Sequence, residues 1–295
     1  MIVPNQQNIK VHFAAAEQNN HFCELQAGGV NYMLFTAFPL ICQQFGLKTV
    51  PYGNEIENAG KTRFEATQHC IMDSGLFTLM FGSHGGKKDK KFIYAWFDAL
   101  VDYVRTREYP GTMVEVDCQK VLGVKQAWEL RKKLRDQVPN RVINVFHKED
   151  GQKGLDRLIE FSDYIAISVP ELRSMGQKSY TTRLAHYIKN RKPEIDIHLL
   201  GCTDQKILKE LKYCSSCDST SWNSAVRYGQ LQTADGQTGH VSSLKKEHFM
   251  PFMETVLNLH RKFGVKIYVP ERHAKLAFQA HQYVKFYEKI VGPQN

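Results

Sequence analysis

The chain has no apolar stretch approaching the roughly 18 residues of a membrane-spanning helix, so no membrane partner is expected. Its first ten residues, MIVPNQQNIK, lack a basic segment followed by an apolar one, which argues against secretion and for a cytoplasmic location. Seven cysteines are an odd number, scattered without a framework, and fit reduced thiols better than a disulfide scaffold. Neither a glycine-rich dinucleotide fingerprint nor a Walker loop is present, so no redox cofactor or nucleotide energy source is expected. Internal repeats, low-complexity tracts and Pro/Gly/Ser linkers are also missing, which suggests one domain over residues 1–295. What the chain does have is positive charge. Lysine and arginine exceed aspartate and glutamate by 39 to 30, a net +9 that favours a polyanionic partner through counterion release and steering.

Short apolar runs alternate with amphipathic or polar stretches. The runs are residues 11–16, 32–35, 70–72, 112–117, 142–146, 164–169, 195–200 and, more weakly, 213–218. Helical patterns fall between the later ones, at 92–107, 125–137, 153–161, 181–191 and 204–212. Strands alternating with helices imply parallel pairing, and eight such runs predict an α/β fold of the (β/α)8 TIM-barrel class, with a doubly wound sheet as the alternative. The barrel would occupy about 10–245. Helices at 246–263 and 272–289 would complete or cap it. Two segments break the rhythm: 48–69 reads as a polar insertion, and 82–91 (GSHGGKKDKK) as a glycine- and lysine-rich loop.

Chemistry concentrates where three strands are expected to end, at Asp73, Asp117 and Asp218. Enzymes of this architecture place their active groups at the carboxyl ends of the strands. Asp73 is followed by Ser74, by Gly75, which would let the backbone approach a ligand, and by Phe77, whose ring could stack on a planar group. Two carboxylates can carry out a double displacement at a sugar C1′, one as nucleophile and one managing protons. A third could accept hydrogen bonds from the donor edge of a guanine-like base. Any one of them could equally be a solvated strand-end aspartate or a helix cap. Lys61, Arg63, Lys87, Lys88, Lys90 and Lys91 could grip phosphates beside such a site, or belong to a merely solvated loop.

The segments MDSGLFTLMFG and CDSTSW, with Asp218 followed nine residues later by Arg227-Tyr228-Gly229, resemble the tRNA-guanine transglycosylase superfamily. The resemblance covers roughly residues 11–229, and the wording is closest to the phage and bacterial DNA-guanine transglycosylases. It implies a (β/α)8 barrel that exchanges guanine in DNA for a free 7-deazaguanine of the preQ0 type, in the host cytoplasm if phage-encoded. Asp218 would be the nucleophile and Asp73 the general acid/base. Phe77 would stack on the base and Asp117 would read the guanine edge. His147 stands where the family often has a glutamine touching the base, and Ser168 where a glycine-rich base-binding segment is expected. Ser74, Gly75, Gly201 and Arg227 join the substrate-binding set on the same basis. The target guanosine would have to be flipped or offered single-stranded.

One part of the family pattern is missing. No cysteine follows Cys217, so the zinc subdomain of the tRNA enzymes, with its Cys-x-Cys-x-x-Cys run, has no counterpart and no metal is expected. Cys214 and Cys217 form a single C-x-x-C before Asp218, read as small residues packing in the last strand. The twelve histidines, including His240, His248, His260, His273 and His281, read mostly as surface or capping residues. Losing the zinc subdomain favours DNA over tRNA and a monomer over a dimer. A tRNA enzyme, a non-catalytic nucleic-acid-binding subunit and a glycosidase remain as rival readings.

Overall fold

The computed structural model describes residues 8–47, 59–76, 89–223 and 228–294. Eight strands follow one another around a closed barrel: β1 (Lys10–Phe13), β2 (Tyr32–Thr36), β3 (His69–Asp73), β4 (Thr112–Val114), β5 (Val142–Phe146), β6 (Tyr164–Ser168), β7 (Asp196–Leu200) and β8 (Ser216–Ser219). Helices stand between consecutive strands, so the architecture is the (β/α)8 TIM barrel that the alternating runs predict. All eight runs are strands. They are apolar because barrel strands are buried on both faces: β4 and β5 hold Met113, Val114, Ile143 and Val145 essentially out of solvent.

The chain divides into two compact units, one of Met1–Leu34, Pro51–His69 and Gly201–Asn295, the other of Phe35–Val50 and Cys70–Leu200. In the first, β1 runs parallel to β8 with Val11 opposite Cys217 and His12 opposite Asp218. Its long carboxyl-terminal helix, Pro270–Val291, packs on the helix Asn19–Ala27. Gly28 permits that approach, since a Cβ there would lie 2.7 Å from the Ala277 carbonyl oxygen. Gln294 then returns to β1, its Nε2 donating to the Ile9 carbonyl at 2.9 Å and its Oε1 accepting from Val11 N at 2.8 Å.

The second unit carries β3 to β7. Its helix Lys90–Thr106 starts at Asp89, whose carboxylate accepts from Phe92 N at 2.8 Å. Ile93, Trp96, Phe97, Leu100, Val101 and Val104 make its buried stripe at helical spacing. The expected loop 82–91 therefore ends before Lys90, and its residues 82–88 lie outside the described ones.

Several elements escape the apolar-run reading. The helix Asn19–Ala27 buries Asn19, His21 and Glu24 beside Phe22, Cys23 and Leu25, so its inner face carries no apolar period. The expected insertion at 48–69 contains the helix Ala59–Glu65. The stretch after Asp218 contains an antiparallel hairpin, β9 (Gln230–Gln232) and β10 (Thr238–His240). The helix expected over 246–263 is split into Lys246–Phe249, a 3-10 turn Met250–Phe252 and Met253–Lys262, with Pro251 in the break, where it cannot donate a helical hydrogen bond.

A buried ion pair links Glu115, the residue after β4, to Arg131 in the helix Val124–Gln137, and the same carboxylate reaches β5. Glu115 Oε1 and Oε2 each accept from Arg131 at 2.6 Å, and they also accept from Val145 N at 2.9 Å and Asn144 Nδ2 at 2.7 Å. Both side chains are almost wholly buried, so removing one partner strands a charge in a poorly polar interior. Arg131→Met is expected to lower unfolding free energy by about 3–5 kcal/mol in urea denaturation.

His260 differs from the expected surface histidine. It is buried, with neither ring nitrogen hydrogen-bonded, and its ring lies 4.9 Å from that of His273. Burial, then the neighbouring His273, lowers its pKa to about 4. His273 is lowered to about 4 by burial and then by Arg272, and its Nδ1 lies 2.6 Å from Glu24 Oε1. Burial pushes the Glu24 carboxyl up, so it holds its proton more firmly than a solvated glutamate does. A histidine neutral when folded but titrating near its ordinary value when unfolded contributes stability that is full above about pH 6.5. That contribution is lost as pH falls towards the folded value, about 4. Glu24 acts in the opposite sense, so the difference between variants is the measurement. Between pH 6.5 and 4, His260→Gln is expected to lose stability less steeply than the parent in urea titrations at stepped pH.

Candidate active site

In the second unit, Asp73 is the last residue of β3 and half-buried. Its Oδ1 accepts from Gly75 N at 2.8 Å, and its carbonyl oxygen accepts from Ala37 N at 2.8 Å. The loop is thereby wrapped around its own carboxylate. Gly75 adopts φ +77°, and a Cβ there would sit 2.7 Å from Phe38 N. The close approach that needs glycine is therefore to the backbone at Phe38, where the sequence suggested a ligand. Ser74 is buried, and its carbonyl oxygen accepts from Trp96 Nε1 at 3.0 Å. Phe77 lies outside the described residues.

Strand β4 stops at Val114, although Glu115 N still donates to Ile143 O at 3.0 Å. Asp117 therefore stands in the following loop and does not end the strand, because the chain leaves the ladder once Glu115 turns to Arg131. Its Oδ1 lies 2.7 Å from Nε2 of His147, the residue after β5. Against a carboxylate that only accepts, Nε2 carries the proton. His147 is 2% exposed, and its Nδ1 is 3.7 Å from Glu171 Oε2. Burial alone would lower the His147 pKa, but Asp117 and Glu171 outweigh it and raise the value to about 10. Glu171, drawn down to about 2 chiefly by His147, also pairs with Lys120, whose Nζ is 2.7 Å from Oε1. Ser168 ends β6, half-buried, and makes no side-chain bond to the helix Val169–Ser174 that it precedes.

In the first unit, Asp218 lies inside β8 and is 9% exposed. Gly201, at φ +59°, donates its N–H to Asp218 Oδ1 at 2.7 Å. Gly201 thus positions the carboxylate. The CDSTSW segment is tied down on both sides of the strand end. Ser219 Oγ accepts from Tyr287 OH at 2.9 Å, and Trp222 Nε1 donates to Ala14 O at 2.8 Å. Cys214 and Cys217 are fully buried, and burial pushes the Cys217 thiol well up, as packing residues require. Arg227 lies outside the described residues.

The basic residues separate into different kinds. Arg63 is wholly buried, so its expected phosphate contact does not hold. Its guanidinium donates to Ala16 O at 3.0 Å, Glu17 O at 3.1 Å and Asn19 Oδ1 at 2.9 Å, and it stacks over Phe22. It satisfies carbonyls of the segment that follows β1, a task its long donor fork suits. Lys61, Lys90 and Lys91 are exposed, and Lys87 and Lys88 lie outside the described residues.

Sequence reasoning missed Glu115, Lys120, Glu149 and Glu171. The first interrupts the apolar alternation of Val114-Glu115-Val116, a signal that was there to read. The others carry no pattern, since their neighbours come from separate elements. A surface pocket of about 430 Å³, lined by Val124, Trp128 and Arg157 among others, sits on the outer helices and not at the strand ends.

No family model matches the chain, and no curated protein matches it. A solved structure described as QR15, an aldolase, aligns over 75% of this chain and 93% of its own, at 13% identity and a TM-score of 0.41. A likeness of that size carries no inference about activity. Among the described residues, no helix is long and apolar enough to cross a membrane.

Arg63→Ala is expected to cost at least about 2 kcal/mol in thermal or urea unfolding, from carbonyls left without a donor. It should leave the salt dependence of nucleic-acid binding unchanged. Lys90→Ala should do the reverse, preserving stability and lowering the log–log salt slope by about one.

Proposed function

We propose that the chain is a base-exchange glycosyltransferase that replaces guanine in DNA with a 7-deazaguanine. One observation carries the reading. Asp73 and Asp218, the two carboxylates that the family wording singles out, both fall in the carboxyl-terminal half of parallel barrel strands, and a backbone N–H holds each by Oδ1. Active groups of such barrels gather at the carboxyl ends of the strands. A hydrogen bond to one oxygen fixes the carboxylate and directs the other.

In this reading Asp218, held by Gly201, attacks C1′ through Oδ2 as the bond to guanine N9 breaks. Guanine leaves as Asp73 donates a proton to it, which leaves Asp73 ionised, and a deoxyribosyl ester remains on Asp218. The incoming 7-deazaguanine gives up its N9 proton, to Asp73 in this assignment, and attacks C1′, releasing the Asp218 carboxylate. Two inversions return the starting configuration, and no external oxidant or energy source enters the balance. Asp117 would read the donor edge of the base. The net charge of +9 supports a phosphate-rich substrate. The missing cysteine run after Asp218 supports DNA over tRNA.

The test is release of labelled guanine from DNA, or from tRNA, on incubation with the full chain and a 7-deazaguanine. Release from DNA is expected, with Asp218→Asn lowering the rate at least about 10³-fold and Asp73→Asn about 10²–10⁴-fold. Release from tRNA alone would move the enzyme to the RNA branch. No release from either, with nucleic-acid binding intact, would leave a binding subunit and overturn the reading.

A further inference from the structure

The geometry points to a metal site beside the residues proposed to hold the base: we infer that His147, Glu149 and Glu171 bind a first-row divalent cation of the zinc or manganese kind. Each of the three offers one ligand atom, and these atoms all lie within 4.8 Å of one another. They come from short segments that follow neighbouring strands. His147 succeeds β5, Glu149 lies in the 3-10 turn Lys148–Asp150, and Glu171 lies in the helix Val169–Ser174 after β6. Strands β5 and β6 are paired over three residues, from Asn144 opposite Ile165 to Phe146 opposite Ile167, which holds these segments side by side.

The imidazole carries the argument beyond a cluster of acids. His147 is 2% exposed; its Nε2 is committed to Asp117 Oδ1, and its Nδ1 is buried with no hydrogen-bond partner. Metal-bound histidines characteristically donate their other ring N–H to a carboxylate, which fixes the tautomer and makes the ligating nitrogen more basic. Asp117 stands in that position. The free nitrogen faces Glu171 Oε2 across 3.7 Å, too long for a hydrogen bond. Two ligand atoms each about 2.1 Å from a tetrahedral ion lie about 3.4 Å apart, so a cation fits that gap with little movement.

Charge and donor type narrow the ligand. Asp117, Glu149 and Glu171 bring three carboxylates to the cluster, against the single ammonium of Lys120 on Glu171 Oε1. Lys120 occupies one oxygen of Glu171 and leaves Oε2 for the ion; being half exposed, it can swing into solvent. One imidazole and two carboxylates suit zinc, manganese, iron or cobalt; magnesium and calcium prefer oxygen alone, and Cu(I) prefers sulfur. Three protein ligands leave a coordination position for water or an oxygen of a bound molecule. An imidazolium locked between Asp117 and Glu171 is the competing arrangement. It would bury an N–H whose nearest acceptor is out of hydrogen-bond range.

The experiment titrates the EDTA-stripped full chain with Co2+, followed by visible absorption, and with Zn2+, followed by calorimetry. One equivalent of Co2+ is expected, with d–d bands, no thiolate-to-cobalt charge-transfer band, and displacement by Zn2+. Glu149 is exposed, so Glu149→Gln should fold normally and weaken the ion at least about 10-fold. Asp117→Asn, acting through His147, should weaken it about 10–100-fold. No binding, a thiolate band, or equal affinity in Glu149→Gln and the parent would overturn the assignment. Failure of base exchange would not, because the two readings share no readout.

Discussion

The position of the His147 cluster depends on the buried pair between Glu115 and Arg131. A carboxylate in this interior is tolerable only if its lone pairs are filled, and Arg131, Asn144 Nδ2 and Val145 N fill them. The bond to Val145 reaches across from β4 to β5, two residues before His147. Glu115 itself stands two residues before Asp117. One buried charge therefore sets the spacing of the two chain segments whose next polar residues meet at 2.7 Å. Were Glu115 apolar, β4 and β5 could still pair, and their carboxyl-end loops would be joined by fewer bonds, those of Asp117 to His147 and Gln119 to Asp150 among them.

The barrel was legible because a strand buried on both faces must be apolar, and eight such runs separated by amphipathic segments admit few architectures. The same rule fails wherever a buried face is polar. The helix Asn19–Ala27 hides Asn19, His21 and Glu24, whose partners come from distant parts of the chain, His273 for one. Hydropathy cannot see a polar group that is satisfied by a residue 249 positions away. Strand ends were blurred for a related reason. Val116 continues the apolar alternation past Val114, yet the ladder ends when Glu115 finds Arg131, so Asp117 moved from a strand end into a loop.

Candidate residues were legible by type and less so by task. Asp73 ends β3 as the motif suggested, Asp218 lies one residue short of the end of β8, and Gly75 and Gly201 have a local purpose. Gly75 and Gly201 each present an N–H to a carboxylate from a left-handed backbone, a conformation that glycine adopts without steric cost. Arg63 shows the opposite error. In sequence it sits among polar residues near Lys61 and looks like a phosphate contact; in the fold its donors saturate backbone carbonyls after β1. A positive charge is a reader of phosphate only if its donors are still available.

That condition also bears on Asp117. Recognition of a guanine edge asks a carboxylate to accept from N1–H and from the exocyclic amine, one donor to each oxygen. His147 already takes one lone-pair position on Oδ1, and the guanine edge would be received on the positions that remain. Glu115 in the same fold accepts two donors on one oxygen, so the bond to His147 directs Asp117 without saturating it. An ion on Nδ1 would hold that direction, because a ligated ring cannot rotate without breaking a metal bond. In the base-exchange reading, a cation bound there would sharpen base selection by holding Asp117 in a single orientation.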